Sequence, residues 1–234
     1  MGFTQRTTLF LVLLWCPHWI LAQPPETKGW FFLSHTQTIT KKVAILFDAQ
    51  VRSADQLRYV NTLLLRSGVA YNLNKKHSVA LGYAYKSDWE RQEDGVDRQI
   101  ENRIYEQYLF ESTIGKSEVT ARFRFEQRFI KEDVHYLFSE RARAFLALQI
   151  PVIANNDFSK GMYVNLQNEL FANVHNKQNV NGDFFDQNRL LTSVGYRWNK
   201  KIDTEIGYMI WQQKEWEGDM SSHVFQVMIT TNLD

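Results

Sequence analysis

The chain has 234 residues, 27 Lys+Arg against 26 Asp+Glu, and a single cysteine, Cys16. That length suits one domain, and the even charge argues against nucleic acid as a partner. One cysteine rules out a disulfide framework within the chain and a cysteine zinc cluster.

The N-terminus reads as an export signal. Arg6 supplies a positive start, Leu9 to Ile20 is an apolar run, and Leu21-Ala22-Gln23 offers a small residue for cleavage after Ala22. The run is short for a membrane-spanning helix. Trp15 before Cys16 and Pro17 after it do not suit a lipoprotein signal. Residues 1–22 are therefore expected to be a signal peptide, and residues 23–234 a single domain. Cleavage removes Arg6 and no acid, which leaves basic and acidic side chains equal in number. It also removes Cys16, and an exported chain without disulfides fits a bacterial envelope protein.

Beyond the leader no apolar run reaches helix-spanning length, and the chain reads as alternating strands. Gly29 to Thr38 alternates weakly. Val43, Ile45, Phe47, Ala49 and Val51 then oppose Ala44, Leu46, Asp48, Gln50 and Arg52. Leu63, Leu65, Val69 and Tyr71 oppose Thr62, Arg66 and Gly68, and Val79, Leu81, Tyr83 and Tyr85 oppose Ala80, Gly82, Ala84 and Lys86. A polar loop is expected from Asp88 to Asp97. Ile100 to Thr113 is less regular: Glu101, Arg103 and Gln107 share a face, and Glu106 falls on the other.

The stretch Val119 to Phe129 is the most informative. Val119, Ala121, Phe123, Phe125 and Phe129 lie on one parity; Thr120, Arg122, Arg124, Glu126 and Arg128 lie on the other. Successive side chains of a strand point to opposite faces, so one face is oily and the other ionic. A solvated sheet face usually mixes Lys, Thr, Ser and Glu; this one is nearly all Arg, whose planar fork suits crowded pairing with carboxylates. The oily face is expected to meet lipid, and the ionic face to line a closed barrel.

The pattern continues. After a loop at residues 131–133, Ala142, Ala144, Leu146, Leu148 and Ile150 oppose Arg141, Arg143 and Gln149. Past the connection from Pro151 to Lys160, Met162, Val164, Leu166 and Leu170 oppose Asn165, Gln167 and Glu169. A long loop is expected from Asn173 to Asp186. Leu190, Thr192, Val194, Tyr196 and Trp198 oppose Arg189, Ser193, Gly195 and Arg197. Ile202, Ile206, Tyr208 and Ile210 oppose Asp203, Glu205, Gly207 and Gln213; Phe225, Val227, Ile229 and Leu233 oppose Gln226, Met228, Thr230 and Asn232.

Two wider patterns point to a lipid-wrapped barrel. Lysines, including Lys28 in the N-terminal tail, fall in turns and loops, Lys86 being the exception; most arginines fall inside strands on the polar parity. Short, Lys-rich connections also alternate with longer acidic ones, as short periplasmic turns and longer external loops do. Aromatics such as Tyr71, Tyr196, Trp198, Tyr85, Trp89, Phe129 and Trp211 fall near the strand ends, where interfacial girdles would sit. The expected fold is all-β: an antiparallel up-and-down transmembrane β-barrel of 10–12 strands. Eleven segments are read, and bacterial barrels use even numbers. The segment from Trp30 is therefore expected to be split, to lie inside the lumen, or to be joined by an unread strand.

Several short strings resemble a family catalogued as domain of unknown function 2490. They are Arg66 to Tyr71 (RSGVAY), Gly82 to Tyr85 (GYAY), Glu101 to Gln107 (ENRIYEQ), Arg122 to Arg128 (RFRFEQR), Asn168 to Asn173 (NELFAN), Phe185 to Arg189 (FDQNR) and Gly207 to Met209 (GYM). Together they span nearly all of the chain after the leader. The resemblance implies a bacterial exported protein of outer-membrane β-barrel type; it carries over no catalytic residue.

The chemistry expected from the chain is ionic rather than catalytic. No metal-ligand spacing, phosphate loop or dinucleotide fingerprint occurs, so no metal, cofactor or catalytic residue is expected. Ser34-His35 and Ser221-Ser222-His223 are candidates for a rim Ser/His pair of a lipid-modifying enzyme. Neighbours on a strand face opposite ways, whereas Ser221 and His223 share a parity. The lumen-lining set is Asp48, Arg52, Arg66, Glu101, Arg103, Arg122, Arg124, Glu126, Arg128, Arg141, Arg143, Glu169, Arg189, Asp203 and Glu205. Its near balance of sign favours a salt-bridged plug over an anion-selective channel. The expected setting is the bacterial outer membrane, with membrane lipid and lipopolysaccharide as partners. The alternatives are the lipid-modifying enzyme and a soluble exported lipid-binding barrel.

Overall fold

The computed structural model describes residues 26–92, 95–132 and 134–233; the expected leader and its expected cleavage region lie outside the described residues. Among the described residues there are eleven strands: β1 Glu26–Thr38, β2 Val43–Ala54, β3 Tyr59–Asn72, β4 His77–Gln92, β5 Gly95–Ile114, β6 Ser117–Glu132, β7 His135–Ala154, β8 Gly161–His175, β9 Phe185–Asn199, β10 Ile202–Glu215 and β11 Gly218–Leu233. Each pairs with its neighbours in the chain, and the ring closes between β1 and β11. Closure gives every strand a partner on both sides and leaves no edge.

The strand number falls within the expected range, but neither an even count nor an all-antiparallel ring is found. With eleven strands in an up-and-down order, the first and last run in the same direction. They can meet only in parallel, and they do so over twelve consecutive pairs from Glu26↔Ser222 to Gln37↔Leu233. The segment from Trp30 is thus a full wall strand, bonded antiparallel to β2 on its other side.

The alternation read from the sequence holds strand by strand. Arg124 faces Arg143, Glu126 faces Arg141 and Phe123 faces Ala144 across the β6–β7 ladder, so the ionic parities of the two strands meet on one face. That face is the interior. Arg124, Glu126, Arg141 and Arg143 are buried, while Phe123 is 52% exposed on the outer face. Phe31, Phe47, Leu81, Leu146, Leu170, Val194, Ile206 and Phe225 are exposed in the same way, from strands all round the ring.

Of the polar stretch at Asp88 to Asp97, residues 88–92 and 95–97 are strand and not loop. β4 runs to Gln92 and β5 starts at Gly95, with Glu90↔Asp97 and Gln92↔Gly95 still paired. The same holds at the tip of β6 and β7, where Glu132 pairs with His135. Backbone pairing persists there although the exposed side chains are mostly polar, so hydrophobic alternation cannot reveal it. The long connection between β8 and β9, with a short 3-10 turn at Lys177–Asn179, is real. The rim that carries it is called the long-loop rim below, and the opposite one the short-turn rim. At the latter, β5 and β6 are joined by two residues, of which Gly115 takes φ +64, a conformation that costs glycine little.

Two tyrosines lock the wall from inside. Tyr105 on β5 lies against the Cβ-less backbone of Gly82 on β4, where a Cβ would sit 2.3 Å from its ring, and its hydroxyl donates to the Ser67 carbonyl at 3.3 Å. Tyr163 on β8 does the same at Gly195 on β9, again at 2.3 Å. Both tyrosines are almost wholly buried.

Candidate functional site

The interior is built from one-residue alternations that converge on a few shared carboxylates. Glu126 accepts from Arg141 at 2.7 and 3.0 Å and from Arg143 at 2.5 Å, and Arg124 stands 4.0 Å away. Glu101 accepts a two-pronged pair from Arg103 at 2.8 Å each, and a second from Arg128 at 2.5 and 3.3 Å. Glu169 joins Arg122 and Arg143, both at 2.8 Å. Asp48 takes Arg66 at 2.7 Å across the β2–β3 ladder. These charge-assisted, partly bidentate bonds fix the planes of the guanidinium groups.

Rings fill the gaps between the charges. Phe171 lies beside Arg141, Arg143 and Arg189, with guanidinium carbons 4.5 to 5.1 Å from its centroid. Arg124 stacks over Tyr105 at 4.3 Å, and Arg122 over Phe145 at 4.5 Å. Aromatic faces attract cations where water is scarce.

The carboxylates of the central interior are not all the expected ones. Among the described residues, nine arginines (Arg52, Arg66, Arg103, Arg122, Arg124, Arg128, Arg141, Arg143 and Arg189) have six carboxylates near them: Asp48, Asp88, Glu101, Glu126, Glu169 and Asp186, of which Asp88 is paired with Lys86. Asp203 and Glu205 do not neutralise any of them. Asp203 sits toward the short-turn rim, where Arg197 binds it at 2.9 Å and Glu118 at 2.9 Å. Glu205 takes only neutral donors: the Tyr163 hydroxyl at 3.1 Å, Asn165 at 3.0 Å and Ser193 at 2.6 Å. Among the described residues, Arg52 and Arg189 have no carboxylate partner. They donate to Gln50 at 2.6 Å and Gln187 at 2.9 Å.

Beside the ionic part stands an apolar one. Trp30, Leu191, Met209, Trp211 and Val224 form a buried cluster on β1, β9, β10 and β11. Trp30 and Trp211 meet edge to face at 5.0 Å, and the Trp211 indole donates to Gln187 at 2.6 Å. Trp211 is therefore an interior residue and not part of an outer girdle; its parity is that of Glu205, and its polar N–H finds a partner inside. Lys28, expected in a tail, also lies inside β1, buried and paired with Glu26 at 2.9 Å.

Two cavities occupy the lumen. The larger, about 730 Å³, lies toward the long-loop rim. The smaller, about 330 Å³, lies toward the short-turn rim, and Arg66, Arg143 and Arg189 line both and divide them. The β8–β9 loop crosses the larger one. Asn179 donates to the Phe138 carbonyl at 2.8 Å and Asn181 to the Lys214 carbonyl at 3.0 Å, tying the loop to β7 and β10.

A family model described as "Protein of unknown function (DUF2490)" matches residues 27–222, from β1 into β11. The chain belongs to this family. No curated protein and no solved structure gives a match. The family's description assigns no activity, so the chemistry of the chain rests on its own geometry.

That geometry does not assemble the serine–histidine candidates. Ser34 lines the smaller cavity, whereas His35 bonds Thr231 at 2.8 Å on the outer face. The ring of His223 bonds the Tyr208 hydroxyl rather than Ser221, its neighbour on the same parity, and Ser222 is buried in the wall. Among the described residues no group of His, Cys, Asp and Glu could hold a metal ion. Glu106, on the outer parity, is exposed and bonds Gln127 at 3.2 Å on that same face.

Three kinds of interior residue escape a sequence reading. Arg197 lies on the polar parity, but its role as the hub between Glu118 and Asp203 depends on contacts 79 residues apart in the chain. Asp186, read as loop, pairs with Arg141 at 2.7 Å because a register shift beside Phe171 brings it into β9. Tyr105, Tyr163 and Phe171 stand on polar parities, and glycines on the neighbouring strands were the available signal for the two tyrosines.

Proposed function

We propose that the protein is an outer-membrane β-barrel of a bacterial envelope, exported by its leader, with a structural or narrow-pore role and no enzymatic one. Its immediate partners would be membrane lipid and lipopolysaccharide. The observation that carries this reading is the inverted barrel: an apolar outer face on strands all round the ring, and an interior crowded with paired charge. Monomeric soluble proteins rarely leave an apolar surface so extensive, whereas lipid-spanning barrels require it. The strands, 12 to 20 residues long, exceed the 9–11 that cross the hydrocarbon layer. The polar tips of β4–β5 and β6–β7 would then stand clear of it.

The ionic interior also weighs against a soluble lipid-binding barrel, whose lumen would have to accept an acyl chain. Arginines pulled onto shared carboxylates and stacked on rings narrow the passage between the two cavities. That favours a plugged lumen over an open pore.

Phe123→Arg tests the reading directly. In a lipid bilayer the substitution should destabilise the barrel by about 2–4 kcal/mol near the midplane, read from urea unfolding in vesicles. In a water-soluble protein an exposed Phe replaced by Arg would change stability little. A near-zero effect would remove the membrane assignment.

A further inference from the structure

The larger cavity contains polar groups that the network described above leaves unmatched. Arg52 is buried, lines the cavity, and its Nε–H has no acceptor. Arg189 lines it too, again with an unpartnered Nε–H. Both guanidinium groups stack on one ring, Trp30, at 3.9 and 4.9 Å. Asp88 acts on Arg52 and Glu169 on Arg189, but neither forms an ion pair with it; two cations on a single buried indole repel one another, and burying a charge without a direct partner is costly. Arg128 adds a third unpartnered N–H on the same cavity. An acceptor is unmatched as well: Gln213 Oε1 is buried there without a donor.

The missing partner is thus defined by its chemistry. It must bring an anionic oxygen group for the guanidinium pair and a hydroxyl to donate to Gln213. Asn61, Thr62 and Gln99 on the cavity wall suit further hydroxyls. A volume of about 730 Å³ lies within the usual range for small-molecule sites. We propose that the long-loop cavity binds a small hydroxylated acid, such as a sugar phosphate or sugar carboxylate, with its anionic group between Arg52 and Arg189. The loop that ties β8 to β9 covers the bound solute. The inference concerns the interior alone and does not depend on which medium surrounds the barrel.

Calorimetric titration of the refolded full chain in detergent micelles tests it. The probes are glucose 6-phosphate, glucuronate, inorganic phosphate and glucose. Glucose 6-phosphate or glucuronate should bind, more tightly than inorganic phosphate, and glucose should give no signal. Arg52→Gln and Arg189→Gln should each weaken binding by about tenfold to a hundredfold, the range expected for a lost hydrogen bond to a charged group. Arg52→Lys keeps the charge but loses the fork; it should fold and still bind more weakly than the parent. Lys200→Ala, at the opposite rim, should bind as the parent does. Silence with every anion overturns the proposal, as does full affinity in the Arg52→Gln/Arg189→Gln double variant. Equal affinity for inorganic phosphate and glucose 6-phosphate overturns the hydroxyl contact.

Discussion

The two sides of the barrel interior are held together by different forces. From β5 to β8 the inner face is ionic: Glu101, Glu126 and Glu169 each bind two arginines within 2.8 Å. Across β1, β10 and β11 its centre is aromatic and aliphatic, with Trp30, Trp211, Met209 and Val224 packed together between buried polar groups such as Lys28, Glu205 and Gln226. The ionic side depends on saturation. Each carboxylate is shared, so losing one strands two cations. The aromatic side depends on shape, and a truncation there leaves a hole. The parallel seam lies on the aromatic side, where a backbone ladder backed by close packing, rather than matched charge, joins the first strand to the last.

The sharpest way to break this contrast is one substitution made in two places. Glu126→Gln should destabilise the barrel by about 3–5 kcal/mol, the usual cost of removing one partner from a buried charge cluster, since Arg141 and Arg143 both lose their main anion. Reversible urea unfolding in micelles, followed by gel mobility, reads the change. Trp30→Ala should cost slightly less, about 3 kcal/mol, through the cavity it opens beside Trp211. It should also loosen β1 selectively, seen as faster amide exchange from Gly29 to Phe32 than in β6. Equal loosening of both strands would mean that the two sides are one cooperative unit. Smallest of all, Glu205→Gln should cost about 1 kcal/mol or less. Its donors are neutral, and Asn165 can turn its amide so that the unpartnered Oδ1 meets the new N–H. A loss at Glu205 as large as that at Glu126 would remove the distinction between shared and solitary carboxylates.

The same contrast explains what the sequence could reveal. On β6 and β7 the inner residues are Arg and Glu and the outer ones Phe, Leu and Ala, so parity alone locates both faces. On β1 the inner face carries Trp30 and Phe32 and the outer face Phe31 and Leu33. Alternation fades there although the strand is complete. Strand order and the closed ring were legible because consecutive hairpins leave few alternatives. The parallel closure followed from a count that looked like an error. Pairing inside the ring was not legible: which arginine reaches which carboxylate depends on stagger between strands and on local register shifts such as that between Glu140 and Arg141. Arg52 and Arg189 look like any other inward arginine until the acids have been assigned elsewhere.

An odd ring also has a sense of direction. The polypeptide reaches β1 at the long-loop rim and leaves β11 at the short-turn rim, whereas an even barrel returns its chain to the side it came from. In a membrane, anything joined ahead of Glu26 would face one compartment and anything appended to Leu233 the other. The wall itself would then be the tether between them.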